Sequence, residues 1–123
     1  TDKKGKTLYW IIDWKTCGWG WDKKKKQNFN VLLQLILYKN FWAKKNNIPL
    51  KDVRCCFMLL KREGKPGKSI DFLPVSVGPK TIERGLKVIN NYVKSVDRGL
   101  FLKNRNSCKY CEFNDTIHCP PNM

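Results

Sequence analysis

Carboxylates are scarce in this chain. Ten Asp and Glu stand against 25 Lys and Arg in 123 residues, a formal charge of +15. That excess points to a polyanionic partner, with nucleic acid foremost, because neutralising phosphates releases counterions. An acidic protein partner, or a basic surface serving solubility alone, is the alternative. Long apolar runs are also missing: none reaches the roughly 18 residues that span a bilayer, and no secretory signal is visible. A soluble, cytoplasmic protein with no membrane partner is expected. Internal repeats and low-complexity linkers are absent, and at this length the chain forms one domain at most.

What the chain does have is apolar and aromatic material. The hydrophobic fraction is 41%, with five Trp, six Phe and four Tyr, the composition of a folded protein rather than of a disordered basic tail. Its densest stretch is Leu8-Tyr9-Trp10-Ile11-Ile12-Asp13-Trp14-Lys15-Thr16-Cys17-Gly18. β-Branched and aromatic residues, entered from the turn-like Asp2-Lys3-Lys4-Gly5-Lys6 and left through Gly18 and Gly20, predict a mostly buried strand. Alternate side chains of a strand share a face, so Asp13 and Lys15 project together near its C-terminal end. A carboxylate there can hold a divalent cation. An ammonium beside it can orient or deprotonate a water and offset charge building on a phosphate. The plainer alternative is an exposed strand end whose charges form a weak surface pair.

Beyond that strand, Trp19-Gly20-Trp21-Asp22 leads into Lys23-Lys24-Lys25-Lys26. Aromatic faces beside cations suit single-stranded bases above a phosphate track, which makes Trp19 and the four lysines nucleic-acid-binding candidates. Size favours packing for Trp19 and Trp21, and a solvated, mobile loop is an equal reading of the lysines. With Asn28 or Asn30 as N-cap, residues 31–45 predict a helix that is apolar nearly all round its first turns, hence buried on more than one side. Gln34 and Tyr38, four apart, share one of its faces. Asn46-Asn47-Ile48-Pro49 ends it by turn chemistry.

Residues 53–60 read as a central strand in which Cys55 and Cys56 are inert core thiols. After the polar connection 62–68, residues 70–77 return as an edge strand, since Pro74 cannot donate to a ladder. Gly78-Pro79 opens a helix over 80–98 whose stripe of Leu86, Ile89, Val93 and Val96 is expected to pack on the sheet. The order is that of an α/β sheet covered by helices. Residues 99–123 lack periodicity. There Cys108-Lys109-Tyr110-Cys111 has the spacing that brings two thiolates to one metal centre, and His118 and Cys119 follow. Three reduced cysteines in a flexible tail are the alternative.

Taken in order, Ile12-Asp13-Trp14-Lys15-Thr16, then Gln34-x3-Tyr38, then Cys108-x2-Cys111-x7-Cys119 resemble the RecB-like branch of the PD-(D/E)XK nucleases. In that family an (Asp/Glu)-x-Lys strand is followed by a helix carrying Gln-x-x-x-Tyr. The cysteines look like the C-terminal cluster of its iron–sulfur members, such as the CRISPR adaptation and AddB-type nucleases. The resemblance spans most of the chain. It implies a restriction-endonuclease-like mixed sheet flanked by helices over residues 1–98, and an irregular, metal-binding cysteine tail over 99–123. The implied activity is hydrolysis of DNA with Mg2+ or Mn2+, as an exonuclease. Asp13 would ligate the metal, the main-chain carbonyl of Trp14 would add a ligand, Lys15 would position the attacking water, and Gln34 with Tyr38 would organise site and substrate.

The resemblance also implies a preceding strand with a second metal-binding Asp. Asp2, eleven residues before Asp13 and within a turn, is a poor match. The chain is therefore expected to be the C-terminal portion of a nuclease core, completed by an upstream segment or another subunit. The family's 4Fe-4S cluster uses three C-terminal cysteines and one far upstream. Zinc is the other ion for such thiolates, and His118, Cys17 and, less readily, Cys55 or Cys56 are the candidate fourth ligands here. Similar short basic nucleases occur in bacteriophages, which suits the Lys- and Asn-rich composition and the host cytoplasm. Two other readings stand beside the enzyme: a core that holds nucleic acid without cutting it, and a metal-stabilised scaffold of a larger replication or recombination protein.

Overall fold

The computed structural model describes residues 1, 5–100 and 105–120, so Asp2, Lys3 and Lys4 lie outside the described residues. The chain divides into two compact units, Thr1–Asn90 and Asn91–Met123. The division between the units lies within the last long helix. No helix among the described residues is long and apolar enough to cross a membrane.

The first unit is mixed α/β. Strand β1 (Tyr9–Cys17) is followed by a one-turn helix α1 (Lys23–Lys26) and the long helix α2 (Phe29–Lys45). A tight helical turn, Leu50–Asp52, then delivers the chain into β2 (Val53–Lys61), β3 (Ile70–Val75) and α3 (Pro79–Asp97). The sheet order is β1-β2-β3, with β1 parallel to the central β2 and β3 antiparallel to it. The β3 edge follows from the sequence, with Pro74 opposite Cys56, whereas β1, read as a mostly buried strand, is the other edge of the three-stranded sheet. The register sets Asp13 opposite Phe57 and Lys15 opposite Leu59, so the two charged residues flank the most deeply buried part of β2.

Strand alternation sorts the two faces. Ile11, Asp13, Lys15 and Cys17 of β1 are partly buried, whereas Trp10, Ile12, Trp14 and Thr16 are exposed. On the covered face Cys55, Phe57 and Leu59 meet Leu35 and Ile36 of α2, with Trp21 closing one end. The Trp21 and Phe57 rings lie 5.0 Å apart at 57°. Helix α2 begins at Phe29, two residues before the expected start, because the Asn28 side chain accepts a hydrogen bond from the Asn30 amide. It ends where Asn47 takes a left-handed φ of 54°, a conformation Asn tolerates.

The other face of the sheet carries Trp10, Ile12, Trp14, Leu60, Ile70 and Phe72, all exposed. Cys56, fully buried between Ile12 and Pro74 in the register, and half-buried Met58 are the exceptions. The Trp10 and Phe72 rings are 5.4 Å apart on this face. The strand read as mostly buried is therefore buried on one face only.

Three further expectations change. The four lysines form a helical turn rather than a loop, because the Asp22 carboxylate caps it by accepting from the Lys25 amide at 2.7 Å. Trp19 does not pack: it is 79% exposed, while Trp21 is buried. The apolar stripe of α3 is covered only in its first half. Ile82 and Gly85 are buried and Leu86 packs against the core, but Val93 and Val96 are exposed. Gly85 brings α3 close against α2: a Cβ there would sit 2.6 Å from Ile36 Cγ2.

The second unit holds the end of α3, a short helical segment Arg105–Tyr110 and an isolated bridge between Thr116 and Cys119. Its described side chains are largely exposed, including Tyr110, Phe113 and Ile117.

Candidate functional site

The residues singled out on β1 and α2 meet. Asp13 and Lys15 share the covered face of β1, and Lys15 Nζ lies 3.0 Å from Asp13 Oδ2. The same ammonium donates to Gln34 Oε1 of α2 at 2.8 Å. Gln34 Nε2 in turn donates to Tyr38 Oη at 2.8 Å, one helical turn further on. Four side chains from two motifs thus form one unbroken line from a nearly buried carboxylate to an exposed phenol. The orientation of the Gln34 amide follows from its neighbours: reversed, it would aim an NH2 at an ammonium.

Asp13 Oδ2 is buried and accepts no hydrogen bond; its contact with Lys15 is an ion pair by distance without hydrogen-bond alignment. A carboxylate oxygen left so is a fitting ligand for a hard cation, and Mg2+ commonly takes one or two carboxylates and fills its shell with water. The donor set is nonetheless small. Among the described residues no group of three or more His, Cys, Asp or Glu is placed to hold a metal ion. The next carboxylate on this face is Asp71 of β3, not singled out from the sequence although β-alternation places it there. It lies two strands from Lys15 in the register, opposite Leu59. That is about 9–10 Å of backbone separation, and Asp71 is already engaged by Lys61 at 2.7 Å. Trp14 lies between Asp13 and Lys15 with its side chain on the opposite face, 55% exposed.

Beside Tyr38 opens an apolar groove of about 380 Å3, lined by Ile11, Leu37, Tyr38, Phe41 and Trp42. Tyr9 extends it, its ring 5.5 Å from that of Trp42. At the other end of β1, Trp19 stands in solvent and Lys23, Lys24, Lys25 and Lys26 are exposed on α1. Lys25 Nζ lies 5.0 Å from the Trp21 ring centroid, a cation–π contact.

The cysteines fall into two environments. Cys55 and Cys56 are buried in β2, and burial pushes the Cys55 thiol up to about 11 and Cys56 upward as well. Cys17 is partly buried, its Sγ 3.9 Å from the Leu60 carbonyl. In the second unit, the Cys111 amide donates to the Cys108 carbonyl at 3.1 Å, a turn that keeps the two residues close. Cys119 belongs to the bridge with Thr116. His118 meets Phe113 edge-on, with centroids 6.2 Å apart. All six cysteines are free thiols.

One cation was not foreseen. Lys39 of α2 is only 7% exposed and donates to the Val77 carbonyl at 2.8 Å. Burial lowers its pKa below the ordinary lysine value, with Cys55 acting in the opposite sense and Arg54 adding to the lowering. No protein-family model, no curated protein and no solved structure matches this chain.

Proposed function

We propose a metal-dependent deoxyribonuclease of the RecB-like PD-(D/E)XK type, built on a restriction-endonuclease-like core. The observation that carries this reading is the contact line Asp13, Lys15, Gln34, Tyr38, in which two sequence motifs meet on adjacent elements. Asp13, with the Trp14 carbonyl, would hold Mg2+ or Mn2+; a bound divalent ion would supply an activated water and Lewis-acid stabilisation of the phosphate. Lys15 Nζ, fixed by Gln34, would orient an attacking water and offset charge on the phosphate oxygens. Gln34 holds Lys15 and Tyr38 together. Tyr38, whose hydroxyl oxygen accepts from Gln34, keeps its own hydroxyl hydrogen to donate, and the groove beside it offers aromatic walls for a base. Trp19 and the lysines of α1 extend the strand's path by stacking and phosphate neutralisation. Cys108, Cys111 and Cys119, which with His118 form no metal-holding group among the described residues, would have to draw together with a fourth ligand to bind zinc or a 4Fe-4S cluster, and the protein would act in the cytoplasm, in recombination.

A second reading has its own observation. Among the described residues Asp13 belongs to no group of three or more metal-ligating side chains, and Asp71, on the same face, lies two strands away and is held by Lys61, which favours a core that binds nucleic acid without cutting it unless an upstream segment or another subunit supplies a carboxylate. The test is cleavage and binding of labelled single-stranded and duplex DNA with Mn2+, comparing the chain with Lys15→Ala and Asp13→Asn. Cleavage lost at least 100-fold in both variants with binding retained supports the nuclease. Salt-sensitive binding by all three without cleavage supports the binding core, and no DNA affinity removes both.

A further inference from the structure

The most unusual charge in the first unit is not at the β1–α2 site. Lys39 lines a cavity of about 650 Å3 at the opposite end of the strands, between β2, the end of β3 and the start of α3. Two more cations line it, Lys51 and Arg54, the latter donating through Nη1 to the Lys51 carbonyl at 2.8 Å, and among the described residues no carboxylate does. The rest of the lining is mostly apolar, with Leu50, Val75, Val77 and Ile82 among its walls. The acid nearest in sequence, Asp52, does not line the cavity and is held by Lys6 at 2.6 Å.

A buried ammonium is costly unless an opposite charge or several hydrogen bonds compensate it. Lys39 has one carbonyl partner, Val77 O, for three donors, and takes part in no ion pair among the described residues. Burial disfavours its charged form for that reason. An anion entering the cavity would relieve this cost, and the shape of the lining says which kind. A carboxylate carries one negative charge against three cations. A phosphomonoester carries up to two, and a guanidinium such as Arg54 can engage its oxygens in pairs. The cavity is also much larger than a bare phosphate, within the range of small-molecule sites, and its apolar walls suit a planar or apolar body attached to the anion.

We propose that the cavity bounded by Lys39, Lys51 and Arg54 is a binding site for a phosphomonoester on an organic body, of nucleotide size. Its phosphate meets Lys39 and Arg54, and its body packs on Leu50, Val77 and Ile82. The ligand is either a free mononucleotide or the phosphorylated end of a nucleic-acid strand, which present the same chemistry. The site is separate from Asp13 and Lys15 and needs no divalent metal, so it stands or falls independently of the nuclease reading.

The test is isothermal titration of the full chain in EDTA with four probes: deoxyadenosine, its 5′-monophosphate, and one short oligonucleotide with a 5′-phosphate or a 5′-hydroxyl. The expected result is at least tenfold tighter binding of a phosphorylated probe over its unphosphorylated counterpart. Tighter binding confined to the mononucleotide pair or to the oligonucleotide pair identifies the source. That preference falls at least tenfold in Arg54→Gln and in Lys39→Met, and persists in Lys15→Ala. Should Lys39→Met fail to fold, Arg54→Gln and Lys51→Gln carry the test, read also through perturbed amide resonances of Val77 and Gly78. Equal affinity with and without the phosphate, or an unchanged preference in folded cavity variants, overturns the proposal.

Discussion

Lys15 Nζ donates to Gln34 Oε1 at 2.8 Å, a strand-to-helix contact that also ties Asp13 to Tyr38. Gln34 is thereby a positioning residue. On the proposed nuclease reading, Gln34→Ala is expected to lower the DNA cleavage rate by about 10- to 100-fold, the scale of misplacing a catalytic group by an ångström. Gln34→Glu keeps an acceptor for Lys15 and is expected to recover most of the loss. Single-turnover kinetics with Mn2+ separate this from a folding defect, because the melting temperature should stay near wild type while kcat rather than KM changes.

The Asp13 and Lys15 pair makes a stability prediction that needs no substrate. Asp13 Oδ2 is buried without a hydrogen bond, so Lys15→Met leaves its carboxylate without its charge partner. The loss should be about 1–3 kcal/mol, the penalty for an unsatisfied buried polar group. Adding Asp13→Asn removes the stranded charge and should recover part of that loss. Urea unfolding of both single variants and the double measures the coupling, expected to exceed about 0.5 kcal/mol for groups in contact. Strict additivity would mean that the pair is solvated.

Gly85→Ala tests the approach of α3 to α2. Alanine gains up to about 1 kcal/mol of helix propensity over glycine. Its Cβ, however, would stand 2.6 Å from Cγ2 of the fully buried, β-branched Ile36, which cannot swing aside. Overpacking of this kind costs about 1–3 kcal/mol, so a net fall in melting temperature is expected. In an Ile36→Ala background the obstructing methyl is gone, and Gly85→Ala should then be neutral or stabilising.

Much of this was readable from periodicity. A period of two put Asp13 and Lys15 on one face, a period near four put Gln34 and Tyr38 on another, and the structure brings the two faces together. Periodicity does not say how far along an element a partner extends. The stripe of α3 is regular through Val96, but burial does not follow it: Ile82 is buried, and Val93 and Val96 are exposed. Nor does hydrophobicity separate Trp19 from Trp21. Gly20 between them adopts a φ of 132°, and the chain turns one indole into the core and leaves the other outside. Lys39 was invisible for a different reason: in a chain with so many solvated lysines, nothing in its neighbours marks one that is buried.

The buried thiols set an alkaline limit that can be measured. Burial raises Cys55 from 9.0 to about 11, with Lys39 pulling the other way and Cys56 adding to the rise. Between these values the unfolded chain has released a proton that the folded chain retains. The stability contributed by Cys55 is therefore complete below pH 9 and is lost as pH rises through 11. Lys39 acts oppositely: its lowered pKa means that the folded state binds fewer protons than the unfolded one, so its contribution grows as pH climbs towards 10.5. Cys55→Ala removes the first effect and, with it, the thiol that opposes the lowering of Lys39, so both changes act in the same direction with pH. Its destabilisation, measured by urea unfolding, should be smaller at pH 10.5 than at pH 7.5, and an equal penalty at both would show that the thiol titrates normally. Alkylation at pH 8 gives the matching kinetic result, because the thiolate is the nucleophile: exposed Cys111 should react at once, and Cys55 and Cys56 only after unfolding.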